Sequence, residues 1–397
     1  MPIDCVSATD RAITLLLSSG HHLLTMIWPM RSLPRSSESN VRIVIVSDAW
    51  RPQRNGVIRV LESLIESLHK QKHDVIMITP LDFKTTPCPT YPEIPLSLFP
   101  YRKLSRLMSD AQADAYHIAT EGPLGWAARK WCVKNSVPFT TAYHTKFPEY
   151  VHARTKLPLD WLYAGIRFFH KHSHVVMAPS PSVFRELSAK GFDNVKPWAH
   201  GVNSDVFRPY PKEYLDLPRP VHMYVGRIAI EKNLTAFLDL ELDGGSKVIV
   251  GRGPQRDELE AKYPQAHFFD TNTDETLARL FSSADVFVFP SLTDTFGLVV
   301  LEALSCGVPV AAYPVTGPLD VLQQKGPMAG PLGALNADLK LAIQQALISG
   351  DPEACREYAL QYSWERVSQQ FLSFLAVAPD QAQRDSSDSE PLLSTQE

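Results

Sequence analysis

VRIVIVSDAWRPQRNGVIRVLESLIESLHKQKHDVIMITP, residues 41–80, reads as strand, turn, helix, strand. Val41–Val46 is a β-branched run with no polar alternation, the pattern of a strand covered on both faces of a parallel sheet. Gly56 then precedes Val57, Val60, Leu61, Leu64, Ile65 and Leu68, which fall on one face of a helix. DVIMITP (74–80) starts the next strand. Working outward, DAYHIA (114–119), VPFTTAYH (137–144) and HVVMAP (174–179) repeat the unit, with helical segments between them. The proline-rich TTPCPTYPEIP (85–95) reads as a long loop inside this half. Periodicity stops in GVNSDVFRPYPKEYLDLPRP (201–220), an expected interdomain linker. It restarts in VHMYVG (221–226), SKVIVG (246–251), AHFFD (266–270), DVFVFP (285–290) and VPVAAY (308–313). Strands alternating with helices predict an α/β chain of two doubly wound parallel sheets, one over 41–205 and one over 206–361. A closing amphipathic helix is expected over 362–378, a disordered tail over 379–397 and a disordered or targeting extension over 1–40.

Composition narrows the function. Thirty-nine basic against 43 acidic residues leave a net charge of −4, so no global field draws nucleic acid. The five cysteines lie far apart with no C-x-x-C pair, which argues against zinc and a disulfide framework and for a reducing, cytoplasmic compartment. The apolar ITLLLSSGHHLLTMIW (13–28) is broken by Gly20, His21 and His22 and is short for a membrane span.

Three segments carry chemistry. In VGRIAIEKN (225–233) a strand ends, Gly226 turns the chain, and Arg227 and Lys232 flank a helix start, an arrangement suited to a diphosphate. In VGRGPQRDELE (250–260), Gly251 and Gly253 let backbone approach a ligand or simply make a tight turn. In FPSLTDTFGLVVLE (289–302), Phe296, Gly297 and Leu298 open a helix whose N–H groups can face an anion. Asp294 lies in the loop and Glu302 about one turn into that helix, each able to accept two hydrogen bonds from sugar hydroxyls. Each segment alone is equally a structural turn.

In this order and together, the segments resemble the family-4 glycosyltransferases of the GT-B fold. That family carries an acid, seven residues and a Glu, followed by a helix and a G-x-P-V strand; here these are Asp294, Glu302 and ALSCGVPVAA (303–312). Asp294 stands where Glu is commoner, and Lys72 where relatives usually have Gly. SDAWRPQRNGVIRV (47–60), with Gly56, resembles the loop that approaches the donor phosphates, and His144 in FTTAYHTKFPEYV (139–151) matches the cleft histidine. The resemblance runs from about Val41 to Leu375.

It implies two Rossmann-like domains facing a cleft, and retaining transfer of a hexose from a nucleotide-diphosphate sugar, a UDP-sugar or GDP-mannose, to an acceptor hydroxyl. His144, Arg227, Lys232 and Asp294 are then the catalytic candidates. Gly56, Arg227, Lys232, Gly253, Asp294, Phe296, Gly297, Leu298 and Glu302 are the donor contacts, and Glu121 and Tyr143 the acceptor contacts. No metal and no cofactor beyond the sugar nucleotide are expected. The sequence looks nearest to diacylglycerol glycosyltransferases and GDP-mannose-dependent α-mannosyltransferases, so a sugar or lipid acceptor is implied. LFPYRKLSRLMS (98–109) sets Arg102, Lys103 and Arg106 beside Leu98, Phe99, Leu104 and Leu107, an amphipathic pattern that suits peripheral contact with anionic lipid. A 2-epimerase of the same fold and a non-catalytic nucleotide-sugar binder remain open at this point. A dehydrogenase is disfavoured, because no G-x-G-x-x-G follows the first strand.

Overall fold

The computed structural model describes residues 40–376 apart from 54, 89–90, 293–295 and 323–327. The expected extension over 1–40, the tail over 379–397 and Asp294 lie outside the described residues. The first half contributes strands β1 (Arg42–Val46), β2 (Asp74–Ile78), β3 (Thr85–Cys88), β4 (Tyr91–Ser97), β5 (Ala115–Ile118), β6 (Thr140–Ala142), β7 (Val176–Ala178) and β8 (Val195–Pro197). Six of them form a parallel sheet in the order β2-β1-β5-β6-β7-β8. The second half contributes β9 (Val221–Val225), β10 (Ser246–Val250), β11 (His267–Phe269), β12 (Val286–Phe289), β13 (Val310–Ala312), β14 (Met328–Gly330) and β15 (Gly333–Leu335). They pair as β11-β10-β9-β12-β13-β15-β14, parallel except for the last pair.

Strand order reverses between β1 and β5 in the first sheet and between β9 and β12 in the second. Crevices open at the carboxyl ends of strands at such reversals, and ligands bind there. The segments leaving β1, β5, β9 and β12, loop and following helix, are those that carry Gly56, Glu121, Arg227 and Glu302.

Local chemistry explains why the first unit folds as its pattern predicts. The β1 residues Ile43 to Val46 are buried on both faces. Asn55 caps the helix Gly56–Lys70, its Oδ1 accepting from the Ile58 N–H at 3.1 Å, and Ile58, Val60, Leu61, Leu64 and Leu68 supply the buried face. The helix ends where Lys72 takes a left-handed conformation, φ 66°, while the His73 N–H reaches back to the Leu68 carbonyl at 3.0 Å. A side chain at that φ is strained where glycine is not. Lys72→Gly is therefore expected to stabilise the chain by about 0.5–1 kcal/mol, read as a raised midpoint in urea unfolding; a lowered midpoint contradicts the cap geometry.

The proline-rich stretch differs from expectation. There β3 and β4 pair antiparallel, with Pro87 opposite Pro95. A two-stranded ribbon consists only of edges, so prolines lacking an N–H are tolerated there.

The chain leaves the first sheet after β8 and returns to it in the helix Trp364–Phe374. The two crossings run side by side, the Val202 N–H donating to the Tyr362 carbonyl at 2.8 Å. Trp198 Nε1 then donates to the Val367 carbonyl at 3.1 Å, and Phe371 meets the edge of His117 at 5.0 Å. Val367, Phe371 and Leu375 complete a core with Ile43, Leu61 and Leu64. The C-terminal helix thus packs on the N-terminal domain.

Candidate active site

In the second domain two distant motifs are tied together. Beyond β9, Gly226 and an exposed Arg227 lead into a short turn, Ile230–Lys232, closed by Asn233 at φ 53°. The Asn233 amide donates to the carbonyl of Pro290 at 3.2 Å, one residue past β12. The segment bearing Arg227 and the half-buried Lys232 is thereby fastened to the start of the 290–302 segment. There Gly297 turns the chain at φ 82° and caps the helix Leu298–Ser305, a left-handed position that glycine takes without strain. Phe296 is buried, and Leu298 packs against the cores of both domains.

Glu302 follows one turn on, only 5% exposed. Burial pushes its carboxyl above the ordinary carboxylate range, and the nearby Arg59 guanidinium pulls it back. Its Oε1 is 2.9 Å from Arg59 Nη2. Its Oε2 has no hydrogen-bond partner among the described residues.

The carboxyl ends of the two sheets point at the same boundary. Arg59 on the helix after β1 reaches Glu302 and also Asp274 at 3.2 Å. On the far side, the Ser182 hydroxyl after β7 donates to the Asp320 carboxylate after β13 at 2.7 Å. His144 lies two residues past β6, between β5 and β7 in the sheet, and His200 three residues past the edge strand β8. Their rings are 5.7 Å apart, and His200 sets its ring edge-on to Phe296 at 5.0 Å. Burial lowers His144 to about 4 and His200 well below the usual imidazole range. Both are therefore neutral at pH 7, so His144 can orient a hydroxyl but does not arrive charged. Gly56 sits at the first turn of its helix with open space where a Cβ would be.

Of the two residues expected to contact the acceptor, the Glu121 Oε1 lies 3.4 Å from the buried His170 Nε2, and the Tyr143 ring is 6.5 Å from that imidazole. Tyr143 is buried and its phenol is pushed up, chiefly by burial. The pair thus neighbours one another after β5 and β6. Gly253 is explained without a ligand: a Cβ there would overlap the carbonyl of Ile228.

Three residues of this region escaped the sequence reading. Asp48, after β1, accepts from the N–H groups of Leu124 and Gly125 at 2.8 and 3.1 Å, capping the helix after β5 and joining the two loops at the first reversal. Burial lifts its carboxyl to about 6. Arg59 and His200 are the others. Arg59, three residues beyond Gly56, was the one cation on the segment Val57–Leu61, and that was its only signal.

Comparison with known proteins agrees with this architecture. A family model described as Glycosyltransferase Family 4 matches residues 54–206, and one described as Glycosyl transferases group 1 matches residues 219–348. Both halves of the chain thus match glycosyltransferase domains, the first that of family 4. It is 29% identical to the sulfoquinovosyl transferase SQD2 of Arabidopsis thaliana over 68% of this chain and 59% of that one. It is also 29% identical to a GDP-mannose-dependent alpha-mannosyltransferase of Mycobacterium tuberculosis, over 71% of this chain and 81% of that one, and to an alpha-monoglucosyldiacylglycerol synthase of Streptococcus pneumoniae, over 78% and 79%. The chain thus spans little more than half the length of the first relative and about four fifths of the other two. Among solved structures, a sucrose-phosphate synthase from Thermosynechococcus elongatus superposes with a TM-score of 0.63 at 21% identity, covering 84% of this glycosyltransferase and 97% of that chain. Anabaena Alr3699/HepE, crystallised with UDP and glucose, gives 0.61 at 13%, covering 88% and 100%. The two structures are alike in fold, the GT-B arrangement of paired parallel sheets.

Proposed function

We propose that this glycosyltransferase moves a hexose from a nucleotide-diphosphate sugar to an acceptor hydroxyl with retention of configuration and without a metal. The observation that carries the reading is the joining, at the β9/β12 reversal, of the Arg227–Lys232 segment to the segment ending in buried Glu302. Two cations beside helix-start N–H groups suit a diphosphate; a buried carboxylate with an open oxygen suits vicinal hydroxyls. In this scheme the acceptor oxygen bonds to the anomeric carbon on the face from which the diphosphate leaves. The departing β-phosphate oxygen takes the acceptor proton, and Arg227 and Lys232 hold the negative charge that develops there. His144 contacts the transferred sugar as a neutral ring, and Asp294 completes the sugar's hydroxyl contacts. Glu121 and Tyr143 face the acceptor.

The reading is tested by thermal shift with UDP, GDP, ADP and their sugar conjugates. One nucleotide series should raise Tm, since binding the native state alone stabilises it; no shift from any of them at millimolar concentration overturns the donor assignment. Activity is then measured with diacylglycerol and with soluble sugars. Asp294→Glu should retain activity if the loop accepts the longer acid that relatives carry.

A lipid acceptor is the finer part of the proposal, and the structure moves its anchor. In the helix Tyr101–Asp110, Leu104 and Met108 are buried and Leu107 packs on the core, so the apolar face expected to meet lipid is spent inside. The exposed apolar residues lie just before it: Phe99 is 96% exposed at φ 46° and follows the exposed Leu98, with Arg102, Lys103 and Arg106 on the solvent face. No helix among the described residues is long and apolar enough to cross a membrane. Burying a Phe side chain contributes about 2 kcal/mol, so Phe99→Ser is expected to weaken binding to vesicles rich in phosphatidylglycerol about tenfold or more. Equal sedimentation of both proteins removes the membrane contact.

A further inference from the structure

Glu302 is a buried carboxylate whose cation comes from the other domain. Arg59 projects from the helix Gly56–Lys70 of the first domain and places Nη2 2.9 Å from Glu302 Oε1. The same guanidinium meets Asp274 Oδ1 at 3.2 Å and lies 5.8 Å from the Phe207 ring centroid. Asp274 begins its helix, which fixes it on the second domain. The other oxygen, Oε2, is buried and has no hydrogen-bond partner among the described residues. A buried acceptor left without a donor is costly, and such groups in native proteins commonly await water or ligand.

We propose that Arg59 is a positioning residue for the donor nucleoside: it holds the Glu302 carboxylate ionised and turned so that Oε2 is left open to a ribose hydroxyl. The inference rests on the donor reading above, and it assigns the first domain a share in holding the nucleoside end of the donor. It also explains why the cation sits where it does. A cation on Oε2 would block the ligand; one on Oε1 keeps the charge in an apolar setting and leaves the remaining lone pairs for the diol. Because Arg59 lies one turn from Gly56, it joins the loop expected to face the phosphates to the residue expected to face the ribose.

The groups that face Glu302 are few. Among the described residues, Arg59 alone carries positive charge against it. Asp274, from the neighbouring helix, and Cys306, at the end of its own helix, oppose or do not offset the carboxylate; Glu62 acts on Arg59 in turn. Removing Arg59 therefore removes the one influence among the described residues that favours ionisation. In Arg59→Ala the carboxyl takes up a proton at higher pH than in the wild type, and the protonated form offers its hydroxyl in place of an acceptor lone pair.

The test is calorimetric titration of wild type, Arg59→Ala, Arg59→Lys and Glu302→Gln with UDP and GDP between about pH 7 and 9. The ratio of variant to wild-type Kd is compared at each pH, so that titration of the phosphates cancels. The expected result is a ratio for Arg59→Ala that grows as pH falls, approaching about tenfold per pH unit below the shifted pKa. It should be absent in Arg59→Lys, which restores the charge, and in Glu302→Gln, which cannot titrate. Circular dichroism and Tm identify any variant that fails to fold; if Arg59→Ala does not fold, the pair Arg59→Gln and Arg59→Lys carries the same comparison. A ratio that is constant with pH, or wild-type affinity in Arg59→Ala, overturns the role of Arg59 while leaving the donor site standing. A wild-type protein that binds neither UDP nor GDP overturns the donor reading itself.

Discussion

Arg227→Ala and Lys232→Ala are each expected to yield folded protein whose kcat is lowered about 10²–10³-fold, the cost of losing one preorganised donor to developing charge. Arg227 is exposed and Lys232 half-buried, so neither truncation opens a cavity, and surface changes of this kind shift stability by about 0.5 kcal/mol or less. On the proposed mechanism their effect belongs to the transition state. As the bond between the anomeric carbon and the diphosphate breaks, charge accumulates on the β-phosphate, and both cations sit on the loop that the Asn233 amide fastens to Pro290. Donor affinity should fall less than turnover, because only interactions that strengthen in the transition state raise kcat. The measurement is steady-state kinetics at saturating acceptor, with Tm as the folding control. Turnover near the wild-type rate in either variant means that the diphosphate lies elsewhere.

How much of this could be read in the chain depends on the range of the interaction that fixes each feature. The longer strands, β1, β2, β9, β10 and β12, are mostly apolar runs, and except for the partly buried edge strand β2 they are largely covered on both faces, which makes them readable. Strand β8 is three residues ending in Pro197, too short to leave a pattern, and it is held only by pairing with β7. The pairing of β3 with β4 was hidden by its prolines, whose local preference for turns gave way to pairing in a ribbon with no interior strand. Site residues divide in the same way. Gly297 and Glu302 stand at positions where helix geometry alone places them. Arg59 is legible only as a charge on a helix, because its partner is 243 residues away in sequence (302 − 59). The amphipathic helix Tyr101–Asp110 has the right composition for lipid, yet periodicity cannot say whether its apolar side meets a bilayer or the Tyr116 and Trp131 side of the core.

Gly56 and Gly253 looked alike in the sequence, and the structure gives opposite expectations for them. At Gly253 an added Cβ would overlap the Ile228 carbonyl, which already accepts the Gln255 N–H at 3.1 Å, while the Ile228 N–H donates to the Arg252 carbonyl at 2.8 Å. Neither backbone can yield without breaking the pairing of the two loops. Gly253→Ala should therefore cost about 3 kcal/mol and lower Tm by roughly 6–12 °C. At Gly56 nothing stands within 4 Å of the missing Cβ. Alanine there is the better helix former, so Gly56→Ala should leave Tm unchanged or raise it slightly. If the donor phosphates approach that backbone, the added methyl stands in their path, and the donor KM should rise about tenfold with a small change in fold stability, a loss of about 1.4 kcal/mol in binding. An unchanged KM in Gly56→Ala removes Gly56 from the donor contacts, and an unchanged Tm in Gly253→Ala returns Gly253 to them. The two substitutions thus separate a glycine required by the protein's own backbone from one whose open space is kept for the substrate.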